Sequence, residues 1–248
     1  MLRYRRHRKS SLTIGFILVI LTIIIWIFSL SDVLFRFNIQ QNYLSGRPHI
    51  DQRRFRSSSV DSLIEEIKTN IRNIELAWLF ENCFSNTLDR NVDFNIQSNN
   101  NNNRSDTFVF LDDIDAISLR DSSVQMHPYL PLIKTDPKLK QLVEGVLLRQ
   151  IQCVQRDPYA NAFYKESNRA SEWLDIDQTE MLDGIHERKW ELDSLCYVLR
   201  LMYSYWIEIN RDLTFFLENE NEFKRTIKII LQTFKEQTRF QGPGRINK

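Results

Sequence analysis

The chain has 248 residues, of which 33 are Lys or Arg and 32 are Asp or Glu, leaving a net charge of +1. That balance gives no overall positive field for nucleic acid, and the length suits one folded domain, alone or with an anchor. Three cysteines, Cys83, Cys153 and Cys196, exclude a disulfide framework, permit at most one internal bridge and lack metal-ligand spacing.

At the N-terminus Arg3, Arg5, Arg6, Arg8 and Lys9 precede an uncharged stretch from Ser10 to Ser31, closed by Asp32. Its heart, Leu12 to Leu30, is 19 residues of mostly Ile, Leu, Val and Phe. A helix of about 20 residues spans a hydrocarbon core of roughly 30 Å. A cleaved secretory signal has an apolar region of only about 7–15 residues and a small-residue cleavage site, which Ser29-Leu30-Ser31 imitates poorly. The one-sided basic flank keeps the N-terminus cytoplasmic. The expected organisation is a cytoplasmic tail over 1–11, a transmembrane signal anchor over 12–30, a stem over 31–58 and a folded body over 59–248. The body then faces the lumen or the exterior from a single-pass membrane protein of the secretory pathway (Golgi or cell surface). Asn103-Arg104-Ser105 is the only Asn-x-Ser/Thr triplet, which makes Asn103 a candidate glycan acceptor.

Within the body, Val60, Leu63, Ile64, Ile67, Ile71 and Ile74 recur at helical spacing, and Ser62 with Glu65 offers a capping box. Residues 86–105 read as a loop around the Asn-rich run, and Thr107 to Leu111 is the one plausible strand. Asp136-Pro137 combines a cap with Pro at the first helical position. Leu139, Leu142, Val143, Val146, Ile151 and Val154 then mark a buried face until Asp157-Pro158. Residues 186–209 form the longest periodic segment, including Trp190, Leu195, Val198, Met202 and Trp206, and a last helix starts near Glu220 and stops before Gly242-Pro243-Gly244. The pattern is that of an all-α body with long functional loops.

Two short stretches concentrate the chemistry: Leu119-Arg120-Asp121-Ser122-Ser123 onward to Pro131, and Glu187 to Tyr197. Each combines cations, carboxylates, hydroxyls and aromatics, the mixture that grips a polyhydroxylated ligand. The alternative is a pair of amphipathic helices with surface ion pairs. Glycosidases need two carboxyl groups across the scissile bond, and the candidates are Asp113, Asp115, Asp121, Glu187, Glu191 and Asp193. On a continuous helix Glu187 and Glu191 would share a face. Asp112, Asp113 and Asp115 lack the glycine and terminal Glu of a calcium loop. Trp190 stands where His186-Glu187 would need a second zinc ligand.

The order and spacing of several runs carry a resemblance. They are Leu79-Phe80-Glu81-Asn82-Cys83-Phe84, Asn86-Thr87-Leu88-Asp89, Thr107-Phe108-Val109, Asp113-Ile114-Asp115-Ala116, Leu119 to Ser123 with Gln125, His127 to Leu132, Arg149-Gln150-Ile151, Asp157 to Phe163, and the Glu187 to Tyr197 block. Over about residues 62–240 the chain resembles glycoside hydrolase family 125, the metal-independent exo-α-1,6-mannosidases. The resemblance implies an (α/α)6 barrel, of which 59–248 would form a C-terminally incomplete part, and removal of terminal α-1,6-linked mannose from glycans with inversion. It implies no metal and no cofactor. It places substrate-binding residues at Asp115, Arg120, Asp121, Ser122, Gln125, Glu187, Lys189 and Asp193, and the acid and base beyond Lys248. An open inner face of such a partial barrel would leave apolar surface exposed. The other reading is a catalytically silent, membrane-anchored fragment that binds mannosides. For Arg120 and Asp121 the competing role is an ion pair tying a loop to a helix. Ile117-Ser118 stands where the family reads Met-Trp, Asp112 where Gly is usual, Ser85 where Pro is usual and Tyr164 where Asn is usual.

Overall fold

A computed structural model describes residues 43–99, 102–111 and 114–238. The expected tail at 1–11 and anchor at 12–30 lie outside these residues; among the described residues no helix is long and apolar enough to cross a membrane. From Leu44 onward the segment expected as a stem lies against the body. Trp78 Nε1 donates to the Leu44 carbonyl at 2.7 Å, Arg47 reaches Asp61 and Asp89 at 2.8 and 2.7 Å, and Phe55 is in the core. Its lack of apolar periodicity reflects a chain laid along helices rather than one free of them.

Helix α1 (Ser58–Asn70) starts at Ser57, whose hydroxyl accepts from the Val60 amide. The expected capping box at Ser62 therefore lies inside the helix. Helix α2 (Ile74–Arg90) is capped by Asn73. It runs on into part of the segment expected as a loop. The rest of that segment forms β1 (Val92–Asn99), which pairs antiparallel with β2 (Asn102–Val109) in a register from Val92↔Val109 to Asn99↔Asn102. Val92, Phe94 and Ile96 do alternate with polar residues, but the flanking asparagines, weak strand formers, disguised the period of two.

The hairpin crosses α4 (Pro137–Arg156) at Gly145. A Cβ there would lie 2.9 Å from the Thr107 amide nitrogen, so only glycine admits this approach. Thr107 Oγ1 donates to the Leu142 carbonyl at 2.8 Å, Arg149 Nε donates to Asp106 at 2.9 Å, and Arg104 grips Glu222 through its two terminal nitrogens, Nη1 and Nη2. Asp136 caps α4 by accepting from the Leu139 amide and also receives the Ser57 hydroxyl at 2.6 Å, joining the starts of two helices. As expected from Asp157-Pro158, α4 ends at Arg156.

A second sheet is small. Strand β3 (Ile117–Ser118) pairs with β4 (Ala162–Phe163), which pairs with β5 (Ile185–Glu187), all antiparallel. The body is mostly helical rather than all-α. Between β3 and α4 come α3 (Leu119–Met126) and a 3-10 turn over His127–Leu132. The segment expected as one helix over 186–209 is instead β5, a short connection and α5 (Leu192–Glu208). Helix α5 packs on α3 and α4, and Tyr205 donates to Glu144 across the latter contact. Helices α6 (Thr214–Glu218) and α7 (Glu220–Gln237) follow. One core joins Val60, Leu142, Val146, Leu201 and Ile230.

Candidate functional site

The three-stranded sheet brings the two polar stretches together. Ser118 pairs with Ala162, and Ala162 with Glu187. Asn161 tightens the join, because its carbonyl accepts from the Leu119 amide at 3.1 Å and its own amide donates to the Glu187 carbonyl at 3.2 Å. One edge then delivers Arg120 and Asp121 at the start of α3, and the other delivers Glu187 to Asp193 at the start of α5.

At that meeting point the Arg120 guanidinium is shared. Nε donates to Asp121 at 3.1 Å, Nη1 donates to Asp193 at 3.2 Å, and Glu191 lies 3.8 Å from Nη1. Lys189 Nζ closes the group at 3.4 Å from Glu191. Hydrogen bonds to Asp121 and then to Asp193 hold the Arg120 pKa above its already high ordinary value. The Arg120 side chain is 40% exposed, so the pair is no buried brace. Exposed pairs contribute about 0–1 kcal/mol of stability, whereas a half-open guanidinium ringed by acceptors can exchange partners with hydroxyls.

The remaining expected residues are placed differently. Ser122 is buried, donates to the Ser118 carbonyl at 2.5 Å and accepts from Gln150 at 2.8 Å. It is committed to holding α3 against α4 and does not face a ligand. Asp115 pairs with Arg169 at 2.8 Å instead of joining Arg120. Gln125 is half-buried, and its Oε1 has no hydrogen-bond partner among the described residues. Asp113 lies outside the described residues, as do the side chain of Asn103 and residues Asn100 and Asn101; the Asn103 backbone pairs with Ser98 in the hairpin. Glu187 and Glu191 do not share a helical face, since one ends β5 and the other precedes α5. Ser118 caps α3 by accepting from the Asp121 amide at 3.2 Å, a role a Trp in its place would not perform.

Beside the Arg120 group runs an open trough of about 520 Å³ lined by Trp173, Ile176, Glu187, Lys189 and Trp190, among others. Asn161 positions this wall as well: Nδ2 donates to Glu187 at 2.6 Å and Oδ1 accepts from the Lys189 amide at 3.0 Å. Asn161 has no assigned role in the sequence, although it sits in one of the runs that carry the resemblance. Asp157, in the same run, accepts from Arg188 Nε at 2.6 Å. The three cysteines are free; Cys153 is buried, which pushes its thiol up to about 12. Among the described residues no group of three His, Cys, Asp or Glu is placed to hold a metal.

Known proteins resemble most of this chain. Residues 73–245 match the family model described as metal-independent α-mannosidase (GH125). The meiotically up-regulated gene 157 protein of Schizosaccharomyces pombe is 34% identical over 198 residues, which are 77% of this chain and 38% of that protein. A metal-independent α-mannosidase of Streptococcus pneumoniae, solved as a non-productive complex with α-1,6-mannobiose, superposes with a TM-score of 0.64 at 34% identity. The match covers 75% of this chain and 41% of the bacterial one. The chain thus spans about two fifths of the length of each relative.

Proposed function

The chain belongs to glycoside hydrolase family 125, the metal-independent α-mannosidases, and on that premise we propose that it forms the sugar-holding part of an exo-acting α-1,6-mannosidase. In this reading the helices α1–α7 are part of an (α/α)6 barrel and the product is released with inversion. The observation that carries it is the convergence of Asp121, Glu191 and Asp193 on the half-exposed Arg120. A guanidinium fixes the orientation of a sugar through planar donors, and the carboxylates accept from vicinal hydroxyls.

Hydrolysis further requires a protonated carboxyl group to meet the leaving oxygen and an ionised one to activate water. At the described site Asp121 and Asp193 accept from Arg120, Glu191 lies between Arg120 and Lys189, and Glu187 accepts from Asn161, an arrangement for gripping rather than for proton transfer. That feature favours the second reading, in which the chain by itself binds mannosides without cleaving them. We therefore expect saturable binding of α-1,6-mannobiose by the purified chain and no appreciable release of mannose. Measured hydrolysis would move the acid and base into Asp121, Glu187, Glu191 or Asp193. Absence of any mannoside binding would overturn the proposal.

We also propose that residues 12–30 anchor the protein in a secretory membrane with the body luminal or extracellular, on the strength of the basic residues on one flank only. Protection of the body from protease in sealed microsomes is the expected result, and digestion from outside would sink it.

A further inference from the structure

We infer that the exposed start of α2, together with Tyr43 and Leu44, rests on the surface of a lipid bilayer; the inference rests on the anchoring of residues 12–30 proposed above. Leu44, Ile74, Leu76 and Leu79 stand between 44 and 70% exposed. So many large apolar side chains around the first turns of one helix differ from the scattered kind that any surface carries. Tyr43 and Trp78 lie beside them, half-buried, with ring centroids 6.1 Å apart. Aliphatic side chains flanked by Tyr and Trp suit the boundary between head groups and acyl chains, where one end of each ring is wet.

The path of the chain brings this face, rather than another, to the membrane. Trp78 Nε1 donates to the Leu44 carbonyl at 2.7 Å, the Gly46 amide donates to Asn82 at 2.8 Å, and Arg47 reaches Asp89 at 2.7 Å. Residues 44–47 therefore run along α2 towards its C-terminal end, and the chain enters at the helix start, beside the apolar side chains. Between Leu30 and Tyr43 lie only residues 31–42. In any conformation they span at most about 43 Å, at about 3.6 Å per residue, close to the width of a body of this size, about 40 Å. The anchor thus holds the entry point near the bilayer, and the face around it is the one brought nearest. Arg72 and Glu75, exposed at its rim, are one of each sign, so the contact calls for no anionic lipid.

The full chain reconstituted in phosphatidylcholine vesicles tests this. Leu76, Leu79 and Cys83 are exposed at helical spacing along one face of α2, Cys196 is exposed on α5, and Cys153 is buried. A polarity-sensitive fluorophore can therefore be placed at Cys83 in Cys196→Ser, or at Cys196 in Cys83→Ser. The expected result is blue-shifted emission at Cys83 that doxyl-labelled lipid quenches, with emission at Cys196 unquenched and no change on raising salt. Leu76→Ser combined with Leu79→Ser should abolish the quenching at Cys83 and leave the protein in carbonate-washed vesicles. Emission at Cys83 that lipid does not quench, whether water-like or shielded by a second copy of the chain, would overturn the contact while sparing the anchor, as would equal quenching at both positions. Loss of the chain from carbonate-washed vesicles would overturn the anchor and the contact with it.

Discussion

Along α4 the apolar stripe from Leu139 through Val146 to Val154 is sealed in the core, whereas on α7 Phe223 and Ile230 are buried while Ile227 and Leu231 stand 40% and 59% exposed. The neighbouring surface continues the difference. A groove of about 400 Å³ lined by Leu199, Tyr203, Trp206, Leu213 and Phe216 runs between α5 and α7 with almost no polar lining. Two amphipathic helices of similar pattern thus sit in a closed and an open environment. The pattern states which face a helix tends to bury; it does not state whether the partner is present. Under the barrel reading, further helices cover the α5–α7 surface, and its apolar character supports that reading.

The largest expected effect separates the two helices. Leu142→Ala should lower unfolding free energy by about 2–5 kcal/mol, the range for a buried leucine, while Leu231→Ala should stay within about 0.5 kcal/mol, both read from urea denaturation. A comparable loss at Leu231 would mean that the α7 surface is covered in solution. Gly145→Ala tests the crossing of β2 over α4. The added Cβ meets the Thr107 backbone, and a cost of about 1–3 kcal/mol from overpacking is expected, despite the better helix propensity of Ala. A gain in stability would show that the hairpin yields easily.

Smaller again is Asp136→Ala, which removes the α4 cap and the partner of Ser57 and should cost about 1–2 kcal/mol. The smallest effect is a pH dependence. Asp93 on the hairpin accepts from Lys165, in the connection between β4 and β5, and that hydrogen bond holds the Asp93 pKa below its ordinary value. Because the folded pKa is depressed, the contribution is full above the unfolded value of about 3.9 and is lost as pH falls through the folded one. Asp93→Asn should lose that small contribution at neutral pH, converge with the parent protein at low pH and so flatten the acid limb of the stability curve in that window; an unaltered acid limb would show that the pair contributes nothing.

Much of the architecture was legible because period and punctuation coincided. Asp136-Pro137 and Asp157-Pro158 bracket α4 to the residue. The misread places are those where long-range pairing outranks local pattern. Residues 186–187 look helical beside α5 but belong to strand β5 because Ala162 and Phe163 pair with it. The site was legible as two stretches and not as a geometry. Arg120, Asp121, Lys189 and Asp193 do meet, but Ser122 turns inward to Gln150 and Asp115 turns away to Arg169. Nor did spacing reveal Asn161, because its work is to join three elements that only the sheet brings together.

The central claim is that Arg120 organises a mannose grip. Calorimetric titration of the full chain and of Arg120→Ala with α-1,6-mannobiose, alongside thermal unfolding of both, tests it most directly. Loss of a hydrogen bond from a charged donor, about 1.5–3 kcal/mol, predicts binding weakened by at least about tenfold at an unfolding midpoint that scarcely moves. Equal affinity in the two proteins, or a fall in affinity matched by a general loss of stability, would contradict the account and return Arg120 to the role of an ion pair between α3 and α5.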